Sequence, residues 1–161
     1  MTRSLELVTH SVQETHRLGR ILGEQGQKGD VLLLTGELGT GKTTMTQGIA
    51  WGLGVNEYAR SPTFVLVVPY QGRVPLYHID MYRVGCVAEA LELGMDEYLF
   101  GNGVCVVEWA NNVEPLFPSE NLSVHLETED EQVRRILLEG HGMRYEALVE
   151  TVTLALRKGS E

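Results

Sequence analysis

Cysteine is scarce in this chain: Cys86 and Cys105 are the only two in 161 residues. A disulfide scaffold is cysteine-dense and a structural zinc site needs clustered Cys and His, so both are excluded. Two isolated thiols suit a reducing compartment, and the expected location is cytoplasmic. Long apolar runs are missing as well. No stretch approaches the ~18 consecutive apolar residues that mark a transmembrane helix. The opening residues, Met1-Thr-Arg-Ser-Leu-Glu-Leu7, include Glu6 and hold no continuous apolar segment of the kind a secretory signal uses. Basic residues are outnumbered, 13 Lys and Arg against 22 Asp and Glu, for a net charge of −9. Binding to a nucleic-acid backbone draws on many Lys and Arg, so acidity disfavours direct contact and leaves open a nucleic acid reached through a partner.

What is present is the material for one α/β domain over residues 1–161, with 43% hydrophobic residues to fill a core. Residues 3–8 alternate weakly and suit an edge strand. Ser11-Val-Gln-Glu14 spells a capping box, and Leu18, Ile21 and Leu22 follow at helical spacing, which predicts a helix over 12–25. Val31-Leu-Leu-Leu-Thr35 is a short apolar run between turn signals, the pattern of a buried strand in a parallel sheet. A helix is expected over 43–53, stopped by Gly54. Residues 64–70 and 74–79 read as a hairpin, 87–93 and 96–100 as short helices, and 104–107 as another buried strand. A Pro-containing loop over 110–120 leads to a second hairpin, 122–126 with 135–138, and a closing helix over 144–157. This pattern predicts a P-loop NTPase-like three-layer sandwich: a mainly parallel central sheet with antiparallel hairpins added.

The strongest chemical signal is Gly36-Glu-Leu-Gly39-Thr40-Gly41-Lys42-Thr43, which fits G-x-x-x-x-G-K-[ST] at each fixed position, with a strand before it and a helix after it. The glycines let successive backbone N–H groups converge on phosphate oxygens. The helix start adds the positive end of its dipole. Lys42 brings a mobile charge to the β- and γ-phosphates, and Thr43 a hydroxyl for Mg2+. The expected nucleotide-binding residues are therefore Gly36, Gly39, Thr40, Gly41, Lys42, Thr43 and Thr44.

P-loop enzymes add an acidic residue at the end of a nearby buried strand. Two candidates stand in this chain. Glu108 ends the more continuous apolar run and is assigned to the metal with Thr43. Asp80 ends a more polar run and is assigned to orient or deprotonate the attacking water; on the sequence alone the two roles are exchangeable. Ser61-Pro-Thr63-Phe64 lies where a GTPase carries its switch threonine, which makes Thr63 a candidate sensor of the γ-phosphate. His78 reads as a structural strand residue, and Trp109 fits a packing or a stacking role equally.

Two further absences narrow the chemistry. Residues 110–121, where a small-molecule kinase would carry its arginine lid, contain no Arg or Lys. No Asn-Lys-x-Asp guanine reader occurs anywhere. ATP hydrolysis is therefore favoured over phosphoryl transfer to a metabolite or a GTP switch. A nucleotide-sensing module without useful hydrolysis is the remaining alternative.

Five segments occur together in order: Gly36–Thr44, Ser61–Phe64, Tyr77-His-Ile-Asp80-Met-Tyr-Arg83, Leu93-Gly94 and Val107-Glu108-Trp109. As a set they resemble the bacterial TsaE (YjeE) family of ATPases. The resemblance implies a weak Mg2+-dependent ATPase needed for threonylcarbamoyladenosine (t6A) modification of tRNA. It also implies action with the TsaD–TsaB pair, through which tRNA is reached, and ATP hydrolysis that supports repeated turnover. By the same resemblance Lys42, Thr63 and Asp80 act in catalysis, Thr43 and Glu108 hold the metal, and the nucleobase pocket draws on Ser11, Val12 and residues 132–135.

Overall fold

The apolar run Val31-Leu-Leu-Leu-Thr35 needs cover on both faces, and it receives it at the centre of a seven-stranded sheet. The computed structural model describes residues 2–37, 39–59, 67–81, 86–92, 94–108 and 116–159. Its strands are β1 (Thr2–Thr9), β2 (Val31–Thr35), β3 (Val67–Tyr70), β4 (Leu76–Asp80), β5 (Val104–Glu108), β6 (Asn121–Thr128) and β7 (Arg134–His141). The helices are α1 (Val12–Glu24), α2 (Lys42–Gly52), α3 (Val87–Glu92), α4 (Met95–Leu99) and α5 (Met143–Gly159).

Strand order is β1-β7-β6-β2-β5-β4-β3. The four central strands β6, β2, β5 and β4 run parallel, β7 and β3 flank them antiparallel, and β1 pairs antiparallel with β7 at the outer edge. The expected fold class is what the structure shows, the second hairpin and the edge strand are where the sequence put them, and the first hairpin is seen in its described part, residues 64–66 lying outside the described residues. Pro69 sits on edge strand β3, where its missing N–H costs no interior ladder bond. One reading from the sequence needs correcting. β4 is not merely a hairpin arm, because its other side pairs in parallel with β5 and draws it into the sheet interior. Among the described residues no helix is long and apolar enough to cross a membrane.

Alternation along the strands sorts side chains into two cores. Leu32, Leu34, Leu76, Val106, Leu122 and Val124 face α1, α2 and α5. Val31, Leu33, Ile79, Cys105 and Val107 face the short helices α3 and α4. The result is three layers. At the lower end of β2, α5 is tied down by polar contacts. Arg144 grips buried Asp30 with two bonds of 3.1 and 2.7 Å, and the Tyr145 hydroxyl accepts from Val31 N at 3.0 Å.

The first helix begins as the sequence reads: Ser11 Oγ accepts from Glu14 N at 3.1 Å. The Glu14 carboxylate turns back to His10 N, one residue before the cap, instead of to the cap residue itself. Helix α1 then lies across α2 through a pair of repeats that sequence analysis did not single out, Gly19-x-x-x-Gly23 and Gly48-x-x-x-Gly52. The backbones approach so closely that a Cβ on Gly23 would stand 2.1 Å from Ile49 O, and one on Gly48 would stand 2.3 Å from His16 O. No side chain fits there, so the crossing holds α1 directly against the helix that opens at the phosphate loop.

Candidate nucleotide site

The glycine loop leaves β2 and turns directly into α2. Gly36 (φ 142°) and Gly41 (φ 101°) adopt backbone conformations that L side chains rarely enter. Gly36 is doubly constrained, since a Cβ there would lie 2.5 Å from Leu126 O. Gly41 caps α2 without a side chain, leaving the first N–H groups of the helix to face outward from its N-terminus. Thr40 is buried and its hydroxyl donates to Glu37 O at 2.9 Å. Gly39 is exposed, while Thr43 and Thr44 in the first turn of α2 are half-buried.

Lys42 is the first residue of α2 and only 5% exposed. Its Nζ donates to Gly36 O at 2.7 Å and Glu37 O at 2.9 Å, so the ammonium lies inside the arch of the loop. Burial pushes its pKa down, and the carboxylates of Glu108 and Asp80 pull it partly back up. Both acids thus act on the ammonium electrostatically, although they stand 66 and 38 residues away in the chain.

The two acids are brought together by strand register. Asp80 is the parallel partner of Glu108 at the C-terminal ends of β4 and β5, one strand further from β2 than Glu108. Each is 4% exposed. Ligands of open parallel sheets bind outside these carboxyl ends. The polarity contrast that the sequence suggested between the two acids disappears in the fold, because both strands are interior at this point. His78, expected as a structural residue, is fully buried on the same face and its Nε2 meets Glu108 Oε2.

The donor set suits a hard divalent cation. Mg2+ takes oxygen ligands, and at nucleotide sites it uses one or two carboxylates completed by phosphate oxygens and water. Glu108 and the Thr43 hydroxyl are the oxygens that could supply the protein's share. Among the described residues no group of three or more His, Cys, Asp and Glu could hold a metal ion by itself. Thr63, with Ser61, Pro62 and Phe64, and Trp109 lie outside the described residues.

Ser11, Val12, Gly41, Thr44, Gln132 and Arg134 line a cavity of about 60 Å3 beside the loop. The segments expected to hold the nucleobase therefore converge next to it. A larger cavity, about 380 Å3, lies on the β6 side between Glu37, Thr40, His125 and Glu127.

A family model described as Threonylcarbamoyl adenosine biosynthesis protein TsaE matches residues 9–136. The chain belongs to the TsaE family. A TsaE from Bacillus subtilis (strain 168), named as a tRNA threonylcarbamoyladenosine biosynthesis protein, is 40% identical over 94% of this chain and 95% of its own length. A TsaE of the same description from Treponema pallidum (strain Nichols) is 38% identical over 76% of this chain and 90% of its own. The crystal structure of Bacillus subtilis YdiB superposes with a TM-score of 0.85 at 37% identity, covering 96% of this chain and 97% of that one.

One residue of this TsaE-family site escaped the sequence reading except as part of a segment. Arg134, at the start of β7, donates from Nε to Thr40 O at 3.1 Å and from Nη2 to Gly39 O at 3.4 Å. Its Nη1 also bonds Asp130 O at 2.9 Å. The guanidinium therefore ties the β6–β7 turn to the phosphate loop. No local pattern announces such a role for an arginine opening a hairpin strand. The glycine repeats of α1 and α2, by contrast, were visible as spacings.

Proposed function

We propose that this chain is the Mg2+-dependent ATPase of tRNA threonylcarbamoyladenosine formation. The observation that carries the reading is the side-by-side burial of Asp80 and Glu108 at adjacent parallel strand ends, within electrostatic reach of Lys42. Lys42 binds the β- and γ-phosphates, and the backbone N–H groups of Gly39 to Thr44 surround them. Thr43 and Glu108 hold Mg2+, which neutralises phosphate charge when bound. Asp80 orients a water and takes its proton as the water oxygen bonds to the γ-phosphorus. The bond from that phosphorus to the bridging oxygen breaks, leaving ADP and inorganic phosphate. Thr63 senses the γ-phosphate. In this reading the cycle runs beside a TsaD–TsaB pair in the cytoplasm, and an acidic subunit of net charge −9 suits a protein that meets tRNA through such partners.

The test is ATP hydrolysis by Asp80→Ala and Glu108→Ala with TsaD and TsaB present. Both variants are expected to lose most of the activity; full activity in both would overturn the site. Depletion of the protein in its own cells is expected to lower t6A in tRNA, and unchanged t6A would overturn the pathway role.

A further inference from the structure

A buried histidine normally satisfies both ring nitrogens. His78 does not. It lies in β4 two residues before Asp80, on the face that the two acids share, and is 0% exposed. Register pairs it with Val106, which makes Glu108 its diagonal neighbour across the ladder. Nε2 meets Glu108 Oε2, while buried Nδ1 has no hydrogen-bond partner. The division of labour follows from chemistry. A carboxylate oxygen accepts here, so Nε2 carries the hydrogen of this contact and Nδ1 is left without a partner. A leucine would fill the same space without an unsatisfied atom, so the imidazole costs stability here. Its one polar bond goes to the acid at the site.

We propose that His78 is a positioning residue for Glu108. Its Nε2–H occupies one carboxylate oxygen, fixes the plane of the group and leaves the other oxygen as the metal donor. Carboxylate ligands in metal sites are commonly held this way by a neighbour that never touches the ion. The proposal rests on the reading of Glu108 as a metal ligand.

The test uses Mn2+ in place of Mg2+, with ADP bound, and reads metal affinity by electron paramagnetic resonance. Three variants separate the possibilities. Gln carries an amide N–H to about the position of Nε2, Asn reaches only as far as Nδ1, and Leu offers volume alone. His78→Leu and His78→Asn are expected to weaken Mn2+ binding by about 10–100-fold, the range found for lost outer partners of metal ligands. His78→Gln is expected to stay close to the parent. ADP affinity in metal-free buffer is expected to be unchanged in all three, which separates positioning from a general packing defect. Parent-like Mn2+ affinity in His78→Leu would overturn the proposal, as would a His78→Gln that falls as far as His78→Asn. Should His78→Leu not fold, the Gln–Asn contrast decides alone. Glu108→Ala is the control for the reading beneath: undiminished Mn2+ affinity there removes the metal ligand and this proposal together. Weakened binding in Glu108→Ala with none in His78→Leu removes only the positioning.

Discussion

The same strands present two different surfaces. Toward α3 and α4, Val31, Leu33, Ile79, Cys105 and Val107 form a wholly apolar layer. Toward α2, the strands are just as buried, yet their upper ends carry His78, Asp80 and Glu108. One face is optimised for packing. The other gives up packing for polar groups that nothing apolar can compensate, and those groups stand opposite the phosphate loop. Chemistry here is placed by strand parity: Ile79 and Asp80 are chain neighbours with opposite duties.

The sharpest way to break that contrast is to substitute these two neighbours. Ile79→Ala is expected to cost about 2–5 kcal/mol of stability in a denaturant melt, as buried large-to-small changes do, while nucleotide affinity stays at the parent level. Stability loss below 0.5 kcal/mol would show that the α3–α4 face is not packed as described. Lys42→Ala probes the other side. It is expected to lose about 1.5–3 kcal/mol of ATP affinity per charge-assisted contact removed, with little loss of stability. Calorimetric titration with ATP measures it, and unchanged affinity would remove Lys42 from the site.

A smaller effect is expected where α1 crosses α2. Gly23→Ala adds a Cβ 2.1 Å from Ile49 O and should cost about 1–3 kcal/mol by overpacking, read as a lowered unfolding midpoint. An unshifted midpoint would mean that the crossing is looser than the structure shows.

The smallest effect is a pH slope. Burial pushes the Cys105 thiol up to about 12 from its ordinary value of 9.0. Above the unfolded value the unfolded chain releases a proton that the folded chain keeps, so stability is full below pH 9 and falls as pH rises from 9 toward 12. At pH 10 the loss from this group is on the order of 1 kcal/mol. Cys105→Val is expected to flatten that part of the stability profile; an unchanged slope would contradict the shift. Exposed Cys86 should meanwhile react with a thiol reagent in the folded protein and Cys105 should not.

Much of this was legible in the chain. The run Val31–Thr35 and the loop after it are local signals, and local signals survive folding. Asp80 and Glu108 were identifiable because both end strand-like runs. Their pairing was not, since nothing in either segment says which strands become neighbours. His78 looked structural for the same reason: its partner is 30 residues away. Arg134 was harder still, because its role consists of backbone carbonyls supplied by another part of the molecule.

That last contact has a kinetic consequence. The bonds from Arg134 to Thr40 and Gly39 span 94 and 95 residues of sequence, and β2 itself needs β6, about 90 positions downstream, as a parallel neighbour. Closing such long loops is slow compared with forming the local helix that follows the glycines. The phosphate loop, written early in the chain, therefore reaches its final shape only after the late β6–β7 hairpin has docked. A nascent chain that has emerged only as far as β5 would already display every residue of the nucleotide motif and still lack the strut that completes it.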